Sequence, residues 1–389
     1  MNKIITISLV LFLIGCTNQS QVEIPDHVKD RDPLDIISID QKPISSLKIG
    51  PELEFNASDS VIIGIPWVIS VDDDKNVYIT DITTPKITVF DSTGAYITQI
   101  GREGSGPGEF RSITDIHFND DSLTVYDGVS RRFTRFASSL VHNMNDRMYT
   151  ENFFRSIHLS DPPYPTNDEA VIPFPNPFFS TTDGQIISLF KGMSDLSKVS
   201  VYLINNQGVR EAGPILNKTI PVHIVRTENG SGMLPTSRNL LYAITADDQL
   251  VVANSETFLI DKMDLSGQIL NSMYFALTPQ RVQRDALLKQ YEGKSLYRLI
   301  EIAELVDTWP VLHSMIVDDL NRIWVSAIID STTHHRWFVF DEQFQLLYQF
   351  DLEKSKNIVL VKNGEVYIRT TDTTTGLYSF NKSEISEND

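Results

Sequence analysis

The chain of 389 residues has a single cysteine, Cys16. No intramolecular disulfide can form, so burial and hydrogen bonding must hold the fold. Long apolar runs are also missing. The longest, 4–14, falls well short of the about 20 residues a membrane helix needs. Positive charge is scarce: 33 Lys and Arg stand against 51 Asp and Glu, a formal charge of −18. A surface this acidic repels phosphate backbones, which excludes nucleic acid as a partner. The chain has no His/Glu spacing suited to zinc, no serine in a nucleophile elbow, and no Gly-rich loop followed by Lys-Ser/Thr. No metal site and no cofactor is therefore expected. What is present, 41% hydrophobic and 22% charged residues, suits a globular protein with a substantial core.

The first informative stretch is the leader. Lys3 precedes the mostly apolar 4–14, and Leu13-Ile14-Gly15-Cys16 follows. This resembles the bacterial lipoprotein signal, in which the cysteine is acylated and becomes the new N-terminus. The resemblance implies a signal peptide over 1–15 and acyl chains, palmitate among them, on Cys16. It also implies a membrane tether in the cell envelope, and Thr17 in place of Asp resembles outer-membrane sorting. Several acyl chains hold a soluble domain firmly where one is marginal. The alternative is an ordinary secretory peptide with an incidental cysteine. Residues 16–33 are polar and read as a flexible tether.

From residue 34 to 384 the chain repeats one grammar. An apolar strand meets an Asp/Asn/Gly turn, then come an apolar strand with an aromatic, a loop, an aromatic-rich strand, a turn and a last strand. Val77, Val125, Ile186, Leu250, Ile323 and Val366 mark the second strand of six copies. Asp, Asn and Gly recur at the turns because they tolerate positive φ or cap their own backbone. Fourth strands are expected at 95–100, 140–142, 209, 268–270 and 346–348. The sixth copy stops after its third strand, 377–380, and 34–53 is expected to supply the missing outer strand and close the ring. The fold class is thus all-β, a six-bladed β-propeller closed by an N-terminal strand. A helical insertion at 276–311, between blades four and five, carries Thr278 as cap, Pro279 in the first turn, and Val282, Leu287, Leu288 and Tyr291 at helical spacing.

Val77-Tyr78-Ile79-Thr80-Asp81, Ile87-Thr88-Val89-Phe90-Asp91, Gly94 and the loop Gly101-Arg102-Glu103-Gly104-Ser105-Gly106-Pro107-Gly108-Glu109-Phe110 closely resemble the NHL repeat. Together with the leader, the chain resembles the bacterial six-bladed, TolB-like propeller lipoproteins. Copies two to six match in pattern only. The resemblance implies strands running from the channel outward in chain order.

With that order, nearly every insertion falls on one face: 101–111, 143–176, 213–239 and 276–311. Long loops in compact domains concentrate function. The expected activity is binding of an envelope protein, a peptide or a small ligand through this face, without catalysis. The alternative is a propeller hydrolase or lyase with a channel metal, which requires three or more His, Asp, Glu or Asn at one channel mouth. Candidate ligand-binding residues are Arg102, Glu103, Glu109 and Arg111 in the Gly loop, Asp115 and His117 at the start of an inner strand, and His334, His335 and Arg336. The Gly-loop charges could instead pair with one another. The helices could pack on the rim or form a lid, and 143–176 could wall a pocket or cover blade edges. The Asp72-Asp73-Asp74 and Asp318-Asp319 clusters read as solvated turns.

Overall fold

The computed structural model describes residues 24–55, 63–106, 108–119, 122–137, 154–158, 171–192, 195–210, 213–228, 230–329, 333–372 and 374–388. The expected signal segment 1–15, Cys16 and most of 143–176 lie outside them. Six antiparallel sheets form six blades, each in chain order from the centre outward. Blade one is Pro66–Val71, Val77–Asp81, Ile87–Phe90 and Tyr96–Ile100. Blade two is Ile113–Asn119, Ser122–Asp127, Arg132–Ala137 and Phe154–His158, and blade three is Val171–Ser180, Ile186–Gly192, Lys198–Ile204 and Leu216–Thr219. Blade four is Leu240–Ile244, Leu250–Asn254, Leu259–Met263 and Ile269–Phe275, and blade five is Leu312–Val317, Ile323–Ala327, His334–Phe340 and Leu346–Glu353. Blade six has Lys356–Lys362, Glu365–Thr371 and Tyr378–Asn388.

The second strands are buried on both faces, and their period of two divides side chains between neighbouring blades. In blade one, Val77 and Ile79 pack against blade six with Phe55, Tyr367 and Phe380. Tyr78 between them packs against Ile116 and Phe118 of blade two. Each of the six junctions has its own apolar cluster. The core is therefore a ring of interblade wedges.

Five of the turns between first and second strands are tight and have a residue at positive φ: Lys75 (65°), Gly184 (82°), Asp248 (62°), Asn321 (58°) and Asn363 (57°). These turns also stitch the blades together. Phe118 N donates to Ser70 Oγ at 2.9 Å and Asn119 Nδ2 to Ser180 O at 3.1 Å. Thr182 N donates to Asp248 Oδ1 at 3.0 Å and Ala246 N to Asn321 Oδ1 at 2.7 Å. Asn363 N donates to Asp319 Oδ2 at 2.8 Å and its Nδ2 to Asp72 O at 3.3 Å. The circle touches all six blades. The acidic clusters are accordingly only partly solvated, contrary to the sequence reading. Asp72 (3% exposed) and Asp318 (4%) are buried. Asp72 accepts from Asn76 N and Tyr78 OH, and Asp318 from Arg322 Nε and Trp324 Nε1. The aromatic six residues on supplies a buried donor, and the carboxylate satisfies it.

The N-terminal segment closes the ring. Ser46–Ile49 pairs antiparallel with Tyr378–Asn388 at Ile385 to Asn388, and Leu53–Glu54 pairs at Lys382 and Asn381. The expected single outer strand over 34–53 is corrected in two respects. Pairing lies beyond 377–380, because the last strand runs to Asn388. Leu34–Ile37 instead lies parallel to Ile269–Phe275 as a fifth strand of blade four. Between them, Ile44 N and Ser45 N donate to Leu346 O and Leu347 O of blade five. The segment thus straps the outer edges of three consecutive blades.

Two expected outer strands are also displaced. In blade two the fourth strand is Phe154–His158, paired with Arg132 to Phe136, and 140–142 lies outside the described residues. In blade three it is Leu216–Thr219, while Val209 sits in the preceding turn. Only Leu216 of that strand is buried. An exposed edge needs no apolar alternation, so the sequence offered no signal there.

The helical insertion holds Arg284–Gln290 and Tyr297–Ile302. The first helix starts later than Thr278 and Pro279 suggested. Val282 N is already engaged by Asp307 O, and Gln280 O accepts from Trp309 N, so 280–282 is held extended. The hairpin Ile224–Thr227 with Gly230–Met233 shares a small core with the helices, built on Leu234, Leu287, Ile300, Ala303, Trp309 and Ile328. Both insertions therefore stand at one end of the propeller, opposite the tight turns.

Candidate functional site: the axial channel

The first strands of all six blades line a central cavity of about 430 Å³. Its wall includes Trp67 and Val68 from blade one, Asp115 and His117 from blade two, and Phe178 and Phe179 from blade three. Leu241 and Tyr242 come from blade four, Ser314 and Ile316 from blade five, and Asn357 and Val359 from blade six, with Arg369 and Phe380 behind them. At the tight-turn end, Lys362 Nζ pairs with Asp73 at 2.7 Å and reaches over the Phe118 ring at 5.9 Å. The other end is bordered by the starts of the inner strands. The volume lies within the range of small-molecule sites, and an apolar wall with a few polar groups is their usual chemistry.

Two sectors of this wall are polar. The first is at blades two and three. Asp115 (4% exposed) accepts from Ile116 N at 2.9 Å and Phe178 N at 3.0 Å. Burial outweighs these two bonds and pushes its carboxyl up to about 8. His117 Nδ1 accepts from Ser180 N at 3.4 Å, and its ring meets Phe178 and Phe179 edge-on. Burial first, then Lys362, lowers it to about 4. Tyr242 OH, in the same region, donates to Pro177 O.

The second polar sector is at blades five and six. Ser314 Oγ is 2.7 Å from Ser326 Oγ and 3.3 Å from Asn357 Oδ1. His313, at the register shift between Leu312 and Ser314, meets the His335 ring with centroids 4.2 Å apart and planes tilted by 42°. His335 is 8% exposed, and burial, then His313 and Lys354, pushes it down to about 3. His313 is open to solvent yet surrounded by protein; that surrounding, then Arg369 and Lys354, lowers it to about 4. The Arg369 guanidinium lies 5.2 Å above the Tyr378 ring, which meets Trp67 edge-on.

The candidate residues separate accordingly. Asp115 and His117 line the channel, and His335 backs its rim. Arg102, Glu103, Glu109 and Arg111 do not reach it. Arg102 Nε donates to Glu109 Oε1 at 2.9 Å, and Arg102–Glu103 runs parallel to Glu109–Phe110, so the Gly loop is a self-paired connector. Glu103 and Arg111 are exposed, and Arg111 N donates to Asp127 Oδ2. His334 bonds Thr333 Oγ1, and Arg336 forms a bidentate pair with Asp351. Strand alternation puts both on the face away from His335. Sequence reasoning missed Trp67, Tyr242, Ser314, Asn357 and Arg369. Their one available signal was position, at the channel-facing ends of first and second strands. Among the described residues, no three His, Cys, Asp or Glu side chains are grouped to hold a metal ion. No described helix is long and apolar enough to cross a membrane.

Residues 52–147 match a family described as a six-bladed β-propeller, DUF5128. No curated protein matches the chain in sequence. Among solved structures, an exported protein of Bacteroides fragilis is similar at 14% identity and a TM-score of 0.50, covering 92% of this chain and 99% of its own. A DUF4221 family member from Bacteroides vulgatus is similar at 10% identity and 0.47, covering 88% and 99%. Virginiamycin B lyase from Staphylococcus aureus is similar at 11% identity and 0.39, covering 88% of each chain. At these identities the likeness is one of fold.

Proposed function

We propose that this protein is a binding propeller that seats a small, largely apolar ligand in its axial channel, entered from the end bearing the insertions. The observation that carries this reading is the cavity of about 430 Å³ walled by all six inner strands. A propeller can fill its axis with side chains; this one leaves a ligand-sized space lined by Trp67, Phe179 and Leu241. The insertions pack on one another at that end. Partner proteins of the envelope would meet the same face.

The same proposal places the propeller on a membrane of the cell envelope, through lipid on Cys16. The signal-like leader and the polar 16–33 support it, and the exported likeness is consistent with it. Cys16→Ser should move the protein from the membrane fraction to the soluble fraction and abolish incorporation of a labelled fatty acid. Unchanged fractionation and labelling would contradict the anchor.

Ligand binding is tested with N-phenyl-1-naphthylamine, a neutral apolar dye that fluoresces when sheltered from water. Saturable binding by the wild type, lost in the plug variant Val359→Trp, is expected. Val359 is the bulged residue of its strand and faces the channel. Equal binding by both proteins would place the dye elsewhere and overturn the reading.

A further inference from the structure

The channel wall is asymmetric in charge. The chain as a whole is strongly acidic, −18. Yet at blades five and six the channel wall carries Arg369, and no carboxylate among the described residues pairs with that guanidinium. Arg369 makes no ion pair among the described residues, and its resolved contact is the Tyr378 ring. The neighbouring acids are engaged elsewhere: Asp351 with Arg336, Glu353 with Ser355 Oγ, Glu52 with Lys356 and Asn381.

A half-buried guanidinium without a counter-ion is costly, and a planar anion offsets that cost by bidentate bonding. Asn357 and Ser314, beside it on the wall, offer further hydrogen bonds. Across the channel the surface is apolar and aromatic: Trp67, Phe178, Phe179 and Leu241. Asp115, the only carboxyl among the described lining residues, is pushed up to about 8 by burial, which disfavours the charged form that would repel an anion. From this geometry we infer that the channel selects an organic anion, with a carboxylate-like or sulfonate-like head on Arg369 and an apolar body of aromatic size along the opposite wall. The inference rests on the channel being the ligand site.

The test compares two dyes with one body. 1-Anilinonaphthalene-8-sulfonate carries an anionic group that N-phenyl-1-naphthylamine lacks. The wild type should bind the sulfonate about tenfold more tightly, the value of one charge-assisted contact. Arg369→Gln should bring the two affinities to within about threefold, with Arg369→Lys between. Displacement of the sulfonate by 1-naphthoate, but not by inorganic phosphate, is expected. Equal affinities in the wild type, or displacement by phosphate alone, would overturn the anion inference and leave the channel reading standing. Failure of both dyes to bind, or binding unaffected by Val359→Trp, would overturn both. If Arg369→Gln does not fold, the wild-type affinity ratio and the displacement series decide.

Discussion

At the scale of single residues, the buried acids do most to fix the blades. Asp318 accepts from Trp324 Nε1 at 2.8 Å and Arg322 Nε at 2.7 Å, all three at the blade's tight turn. Asp318→Ala would leave a buried indole N–H and a partly buried guanidinium unpaired. A loss of about 3 kcal/mol is expected, measured by denaturant unfolding, from the cost of orphaned buried donors. A loss below about 0.5 kcal/mol, the scale of an ordinary surface substitution, would contradict it. The sequence showed these aspartates as turn formers. It could not show the aromatic six residues on folding back to them, because that contact depends on the twist of the hairpin.

His335 makes a second prediction at this scale. Its folded pKa of about 3 lies below the 6.5 of the free side chain, so the unfolded chain binds the extra proton between those values. Stability is therefore lost as pH falls from about 6.5 toward 3. Asp115 acts oppositely: raised from 3.8 to about 8, it binds its proton more tightly when folded, and stability falls as pH rises between those values. His335→Phe keeps an aromatic ring against His313 and removes one titrating group. The fall in melting temperature between pH 7 and 4.5 should be smaller in the variant than in the wild type. Parallel curves would contradict the assignment.

At the scale of elements, the N-terminal strap is the decisive piece. Arg31 Nε and Nη2 bind Asp261 at 2.9 and 3.1 Å, ahead of the parallel strand Leu34–Ile37. Both partners are largely buried. Arg31→Ala should cost about 2 kcal/mol, read by thermal or denaturant unfolding, because it strands Asp261. Removing residues 1–37 should lower the melting temperature yet leave a monomer. Removing 1–55 exposes the long edge of Tyr378–Asn388 and should drive association, visible by size exclusion. A stable monomer after the larger truncation would contradict the closure. That some N-terminal strand completes blade six was legible, since Ser46 to Ile49 is strand-like and the sixth copy lacked its outer strand. That Leu34–Ile37 joins blade four was not. Nothing local distinguishes the two pieces, and Pro43 between them permits either destination. Blade one was legible nearly residue for residue because its second strand is buried on both faces and its turns carry Asp, Asn and Gly. Outer strands such as Leu216–Thr219 face solvent, lose the alternation and were misplaced.

At the scale of the whole molecule, six clusters between blades and a circle of turn-to-turn bonds leave the axis itself unfilled. The candidate site follows from that arrangement. It was legible only where an inner strand opened with conspicuous polar residues, at Asp115 and His117. Arg369 reaches the same cavity from a second strand, which does not follow from residue order. The most direct measurement is a diffraction experiment on crystals soaked with a bromonaphthoate, in which the bromine gives an anomalous peak. The account predicts one dominant peak inside the ring of inner strands, with the carboxylate toward Arg369. A dominant peak on the outer strands or in the helical insertion, with the channel empty, would contradict it.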